Sequence, residues 1–147
     1  MNRKEKEGEM DIAELLKNKG LKKTNARVKI SSILSQSVQP LSEKEIKKKM
    51  GNEYDRITFY RTVQVLIKAD IIHRIIVDNT QIKYAFTKDD KNELDKTEHI
   101  HFYCTQCHKL ICLEDVLVQY YELPKGYIQS ECAVLIKGIC KNCNEKK

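Results

Sequence analysis

The chain has 147 residues, with 27 Lys and Arg against 21 Asp and Glu, a net charge of +6 at neutral pH and six cysteines. That length supports one ordinary domain or two small ones; no apolar run approaches the roughly 18 residues of a membrane-spanning helix, and the charged first ten residues do not read as a secretory signal, so a cytoplasmic protein without membrane association is expected. In a reducing compartment six cysteines are not a disulfide framework, because thiols are kept reduced there and paired cysteines bind metal or do redox work.

Residues 11–18 alternate at helical spacing, with Ile12, Leu15 and Leu16 on one face, and Gly20 stops them. Thr24 can cap a second helix that buries Ala26, Ile30, Ile33 and Leu34, and Pro40 ends the connection after it. Ser42 and Glu45 have capping-box spacing and open a short helix closed by Gly51. Asp55 can cap a longer helix, residues 56–69, with Ile57, Tyr60, Val63, Leu66 and Ile67 inward and Thr58, Arg61, Thr62, Val65 and Lys68 on the other face.

The period then changes. "IIHRIIV" and "QIKYAF" are rich in β-branched and aromatic residues, with "DNT" at residues 78–80 as the hairpin turn between them. Three or four helices followed by a hairpin is the order of a winged helix, in which residues 42–50 and 56–69 form a helix-turn-helix and the second helix enters the DNA major groove. All the excess positive charge lies in residues 1–90, with residues 91–147 neutral. That asymmetry suits a polyanion-binding module joined to a neutral one, although a solvated basic surface is the plainer alternative. Arg61 can reach a phosphate or a guanine edge, and Tyr60 can send its hydroxyl to the backbone. Lys22, Lys23 and Arg27 suit phosphate contacts, with Thr58 and Thr62 beside Arg61.

The charged residues 87–97 suit a linker, dividing the chain into residues 1–86, the linker, and 98–147. Beyond it lie "HIHFY", "KLICL", an apolar stretch over 116–123, a turn at "PKG" and a strand around "CAVLIKGI", a small α+β domain. The fold class is therefore α+β. Cys104/Cys107 and Cys140/Cys143 are two CxxC pairs, each able to point two thiolates at one ion; together they complete the closed tetrahedral shell of a structural zinc. Thioredoxin-type chemistry would need one such pair at a helix start in a βαβ context, which is absent.

His99 and His101, two apart on a strand, share a face opposite that of Cys104. If Phe102 pairs with Ile111 across the hairpin, His101 lies opposite Cys112 and three ligands converge; a one-residue slip separates them. His108, just after the first cysteine pair, reads as an exposed loop residue.

"GLKKTNAR", "ITFYRTVQVL" with its Tyr60–Arg61 pair, "HIHFYCTQC" and "GICKNC" together resemble the ferric uptake regulator family of metal-responsive repressors, over nearly the whole chain from residue 11 to 143. The resemblance implies a homodimer that binds palindromic double-stranded operator DNA, each chain supplying a winged helix and a C-terminal dimerisation domain. It implies no enzymatic activity and no small-molecule substrate, and it implies control of metal uptake or homeostasis, iron among the candidates. Cys104, Cys107, Cys140 and Cys143 match the family's structural zinc ligands, and His99 and His101 match two ligands of a regulatory site for a second divalent metal, zinc or iron(II). With that region placed against the hinge between domains, His73 becomes the fourth regulatory ligand beside His99, His101 and Cys112, and the soft sulfur favours zinc over iron(II). The plainer alternative makes His73 a wing-surface residue and Cys112 a small buried hydrophobe.

Several positions depart from the family pattern. Pro40 replaces a histidine, Ala85 a glutamate or cysteine, Cys112 a carboxylate and Cys132 a histidine of a further metal site, whose other positions are Glu98, Ile100 and Gln119. That further site is not expected to form. Two other functions fit the residues less fully: a peroxide- or thiol-redox sensor using Cys112 and Cys132, and a zinc-ribbon protein-interaction module.

Overall fold

The computed structural model describes residues 11–78, 81–87, 99–130 and 132–146, apart from the side chains of His99, Glu114 and Leu117. Residues 88–97 of the linker expected at 87–97, position Glu98 and two residues of the "DNT" turn lie outside the described residues. The chain divides into two compact units, one of residues 1–76 with 82–87 and one of residues 77–81 with 88–147.

In the first unit, α1 (Ile12–Asn18) starts where the Asp11 carboxylate accepts the amides of Ala13 and Glu14 at 3.0 and 3.3 Å. Gly20, at φ +72°, ends it, with Leu21 N–H returning to Leu16 O and Gly20 N–H to Lys17 O. Helix α2 (Asn25–Gln36) is capped by the Thr24 hydroxyl on Arg27 N–H. A two-residue strand, β1 (Leu41–Ser42), leads into α3 (Glu43–Met50), whose capping box is complete: Ser42 Oγ accepts Glu45 N–H, and Glu45 Oε2 accepts Ser42 N–H at 2.7 Å. After a 3-10 turn (Gly51–Glu53), Asp55 caps α4 (Arg56–Lys68) through Thr58 N–H at 2.9 Å.

Strands β2 (Ile72–Ile76) and β3 (Ile82–Phe86) pair antiparallel, and β1 adds to β3, giving the order β1-β3-β2. Strand β1 was not expected, since two residues carry no periodicity. The three helices α2, α3 and α4 close over this sheet around Leu16, Ile30, Leu34, Ile46, Phe59, Leu66, Ile71, Ile72 and Tyr84. This is a winged helix. In α2, Ile30 and Leu34 are buried as expected, while Ala26 and Ile33 are half-buried and Ser31 is buried with them.

Helix α4 is rotated from its expected phase. Its buried stripe is Phe59, Thr62, Val63 and Leu66, whereas Ile57 is 64% exposed and Tyr60 40%. Apolar residues occur on three sides of this helix, so apolar periodicity alone does not select the stripe. The unit places Phe59 against Tyr54 and Tyr84, with ring centroids 5.7 and 5.9 Å apart.

In the second unit, β4 (His99–Cys104) is the centre of a three-stranded sheet, with β5 (Leu110–Leu117) antiparallel on one side and β6 (Val134–Gly138) parallel on the other. A short helix, α5 (Lys141–Glu145), follows. A turn at the expected "PKG" is closed by Tyr127 N–H on Pro124 O at 3.1 Å.

Candidate metal centre and nucleic-acid interface

Strand β4 ends on Cys104, which is fully buried, and the chain turns back through Cys107. Cys104 N–H donates to Lys109 O and His108 N–H to Cys104 O, and the left-handed φ of +59° at His108 lets the turn close. Because β6 runs parallel to β4 with Cys104 level with Gly138, the chain leaves the sheet beside the same turn and delivers Cys140 two residues later. Thr105 N–H and Oγ1 both donate to Gly138 O, at 2.8 and 3.2 Å, fixing that junction. A side chain at 138 would sit 3.2 Å from Phe102 Cζ, so the close approach favours glycine. Cys140 then stands at the N-cap position of α5, whose first turn carries Cys143.

The four sulfurs lie within 4.8 Å of one another, with Cys107 Sγ and Cys140 Sγ 3.8 Å apart. A tetrahedral zinc with Zn–S bonds of about 2.3 Å requires sulfur–sulfur edges of about 3.8 Å. The donors are also prepared for charge: Cys104 Sγ accepts N–H from Cys107 at 3.5 Å and from Cys140 at 3.4 Å, which pulls its thiol down to about 6 from the ordinary 9.0. Its neighbour Cys143 is pushed up to about 12, first by its hydrogen bond to Cys140 and then by burial and the other sulfurs. Four crowded thiolates need a cation, and this set fits a structural zinc with no position left for substrate. None of the six cysteines is joined in a disulfide.

A nitrogen–sulfur pair lies on the same hairpin, separate from the sulfur centre. The register pairs Phe102 with Ile111 and sets His101 opposite Cys112, as expected, and both residues are half-buried. By strand alternation this pair faces away from Cys104. His99 is level with Leu117, after a register shift in which β5 makes an excursion between Leu113 and Leu117. Cys132 is half-buried ahead of β6, and His108 is exposed, its Nδ1 2.9 Å from Tyr103 Oη. In the first unit His73 sits on β2 level with Ala85, its Nδ1 3.2 Å from Thr87 Oγ1.

The polyanion-facing candidates are on the first unit. Lys22 and Lys23 are exposed ahead of α2, and Arg27 Nη1 donates to Lys22 O at 2.8 Å. A cleft between the start of α2 and α4 is lined by Arg27, Lys29, Thr58 and Arg61. Thr58, Tyr60 and Arg61 are exposed on α4. Thr62 is 6% exposed and belongs to the core side of the helix, so the expectation that it contacts DNA is corrected by the phase of α4. The same rotation exposes Arg56, Ile57 and Gln64, which the sequence reading left off this face. Phe59, the largest fully buried side chain among the described residues, was the signal that could have set the phase.

A winged helix followed by a sheet that four cysteines close is the plan of a metal-dependent DNA-binding regulator. The model of the ferric uptake regulator family matches residues 18–124, and the chain belongs to that family. Its members are transcription regulators rather than enzymes, responsive to metals, and they bind operator DNA as dimers. The ferric uptake regulation protein of Bordetella parapertussis is 28% identical over 138 residues, 88% of this chain and 94% of that protein. The structure is similar to that of the Vibrio cholerae ferric uptake regulator, with a TM-score of 0.61 at 22% identity over 88% of this chain and all of the other. It is also similar to a zinc uptake regulator complexed with zinc and DNA, with a TM-score of 0.67 at 15% identity over 90% of each chain. At these identities the structural likeness establishes the fold. Among the described residues no helix is long and apolar enough to cross a membrane.

Proposed function

We propose that this chain is a cytoplasmic metal-dependent repressor, a homodimer without catalytic activity that binds palindromic double-stranded operator DNA when a regulatory metal site is filled. Residues 1–86 serve as the DNA-binding domain, 87–97 as the hinge and 98–147 as the dimerisation and metal-binding domain. The four-cysteine zinc is a fixed structural element. The sensing site uses His101 and Cys112, with His99 and His73 as the remaining ligands, and three nitrogens with one sulfur make a tetrahedral set suited to zinc. Lys22, Lys23 and Arg27 hold phosphates, while Thr58, Tyr60 and Arg61 meet the operator from α4.

The observation that carries this reading is the register of β4 and β5, which sets a nitrogen and a sulfur donor side by side and apart from the closed sulfur centre. A sensor needs such a separate, incomplete ligand set, because a saturated one cannot respond to metal supply. The test is retardation of palindromic duplexes, selected from a random pool, by protein whose four-cysteine site is filled. Added zinc is expected to produce a salt-sensitive complex. Binding that ignores added metal would overturn the sensor reading, and peroxide consumption without DNA binding would replace it with thiol chemistry.

A further inference from the structure

One carboxylate ties the two helices of the helix-turn-helix together. Glu43, in the first turn of α3, accepts the Tyr54 hydroxyl on Oε1 and the Tyr60 hydroxyl on Oε2, the latter at 2.5 Å. Tyr54 precedes the cap of α4 and Tyr60 lies on its exposed face. Lys47 Nζ stands 5.1 Å from the Tyr54 ring centre and the Arg56 guanidinium 5.9 Å from that of Tyr60. Both hydroxyls are held in the protonated form, with the bond to Glu43 as first cause: Tyr54 is pushed up to about 12 and Tyr60 is raised.

A carboxylate on a surface meant for DNA repels phosphate, so its presence there calls for a gain elsewhere. A tyrosine hydroxyl has one hydrogen, and when that hydrogen is committed to a carboxylate the oxygen has only lone pairs to offer. Phosphate oxygens, guanine O6 and N7 and thymine O4 are themselves acceptors and gain nothing from it, whereas the N6 amino group of adenine and the N4 amino group of cytosine are donors. We propose that Glu43 is a specificity-determining positioning residue: by fixing the Tyr60 hydroxyl hydrogen it makes Tyr60 an acceptor that selects an exocyclic amino group in the operator's major groove. This replaces the expectation that Tyr60 donates to the DNA backbone, and it rests on the reading of α4 as the recognition helix.

The experiment uses the zinc-loaded full chain and duplexes enriched from a random pool. Adenines are replaced one at a time by purine, which lacks the N6 amino group, and cytosines by 2-pyrimidinone, which lacks the N4 group. At one position per half-site, removal of the amino group should weaken wild-type binding by about threefold to tenfold, and which analogue acts distinguishes adenine from cytosine. Tyr60→Phe should be indifferent to that replacement. Glu43→Gln should lose most of the discrimination while binding random-sequence DNA more tightly, because a negative charge has gone and the hydroxyl can turn to phosphate. Equal sensitivity to amino removal in wild type and Tyr60→Phe overturns the proposal, as does full discrimination in Glu43→Gln; the Tyr60→Phe result stands whether or not Glu43→Gln folds. If no duplex is enriched, the recognition-helix reading fails instead. The Glu43 arrangement is then read by ultraviolet titration, in which two of the seven tyrosines should ionise later in wild type than in Glu43→Gln, and coincident curves overturn it.

Discussion

His101 and Cys112 face each other across the β4–β5 ladder, one step from the Phe102–Ile111 pair. Residues directly opposite on antiparallel strands have Cβ atoms roughly 5 Å apart, so an imidazole nitrogen and a thiolate sulfur can reach one ion. His101→Ala and Cys112→Ser should each weaken binding of a second ion by more than the roughly 10- to 100-fold that loss of an outer-shell partner costs. Metal analysis should meanwhile find the four-cysteine zinc retained. Loss of both ions together would mean that the pair supports the sulfur centre rather than a site of its own.

Removing a sulfur from the closed centre should have the opposite character. Cys104 is buried and accepts two backbone amides, and joint ligation with Cys140 closes a long loop in a unit among whose described residues few side chains are buried. Structural zinc contributes on the order of 10 kcal/mol to zinc-finger peptides. Cys104→Ser should therefore give protein low in zinc that aggregates or fails to dimerise. Sedimentation and metal content check this, and a stable dimer with full zinc would contradict it.

The two groups of basic residues should separate by kind of effect. Arg61→Ala, on the exposed face of α4, should cost roughly 1–3 kcal/mol of specific affinity if it reads a base. Lys23→Ala should weaken all sequences alike and flatten the salt dependence by about one ion. Titrations of specific and random duplexes at several salt concentrations distinguish the two.

The phase of α4 predicts an order of stabilities that the sequence reading would have reversed. Phe59→Ala removes a side chain 1% exposed and should cost about 3–5 kcal/mol, while Ile57→Ala, at the solvent face, should stay within about 0.5 kcal/mol. Ser31 Oγ is buried without a hydrogen-bond partner, so Ser31→Ala should be neutral or stabilising by about 1 kcal/mol. Urea unfolding measures all three.

The Glu43 cluster also sets two pH windows. Partial burial pushes the Glu43 carboxyl up, but the two tyrosine hydroxyls together with the Arg56 and Lys47 charges outweigh it and leave the carboxyl below its ordinary 4.5. Its contribution to stability is thus present above about 4.5 and lost as pH falls through the lowered value. Tyr54 is raised from 10.0 to about 12 by the same contact, so its contribution is present below 10 and lost as pH rises from 10 towards 12. Glu43→Gln should flatten the pH dependence of the urea midpoint in both windows.

Much of this was legible from local chemistry. The caps at Thr24, Ser42 and Asp55 and the stops at Gly20 and Gly51 each rest on a few adjacent residues with one strong preference, and the β4–β5 register is the one under which the sequence sets His101 opposite Cys112. The two cysteine pairs announced their centre by type and spacing. What failed depended on partners distant in sequence. The burial of Phe59 and Thr62 is decided by how α4 meets the rest of its unit, strand β1 exists only because β3 pairs with it, and Glu43 finds Tyr60 seventeen residues on.

The central claim, that metal and operator report on each other, is tested most directly by titrating zinc into dimer whose four-cysteine site is filled, with and without an enriched operator duplex. Linkage requires that a metal strengthening DNA binding be itself bound more tightly on DNA by the same factor, typically about 5- to 150-fold. We expect one further ion per chain whose affinity rises on operator DNA and falls as pH drops through about 6.5, where imidazoles protonate. A second ion bound equally well with and without the operator would contradict the account.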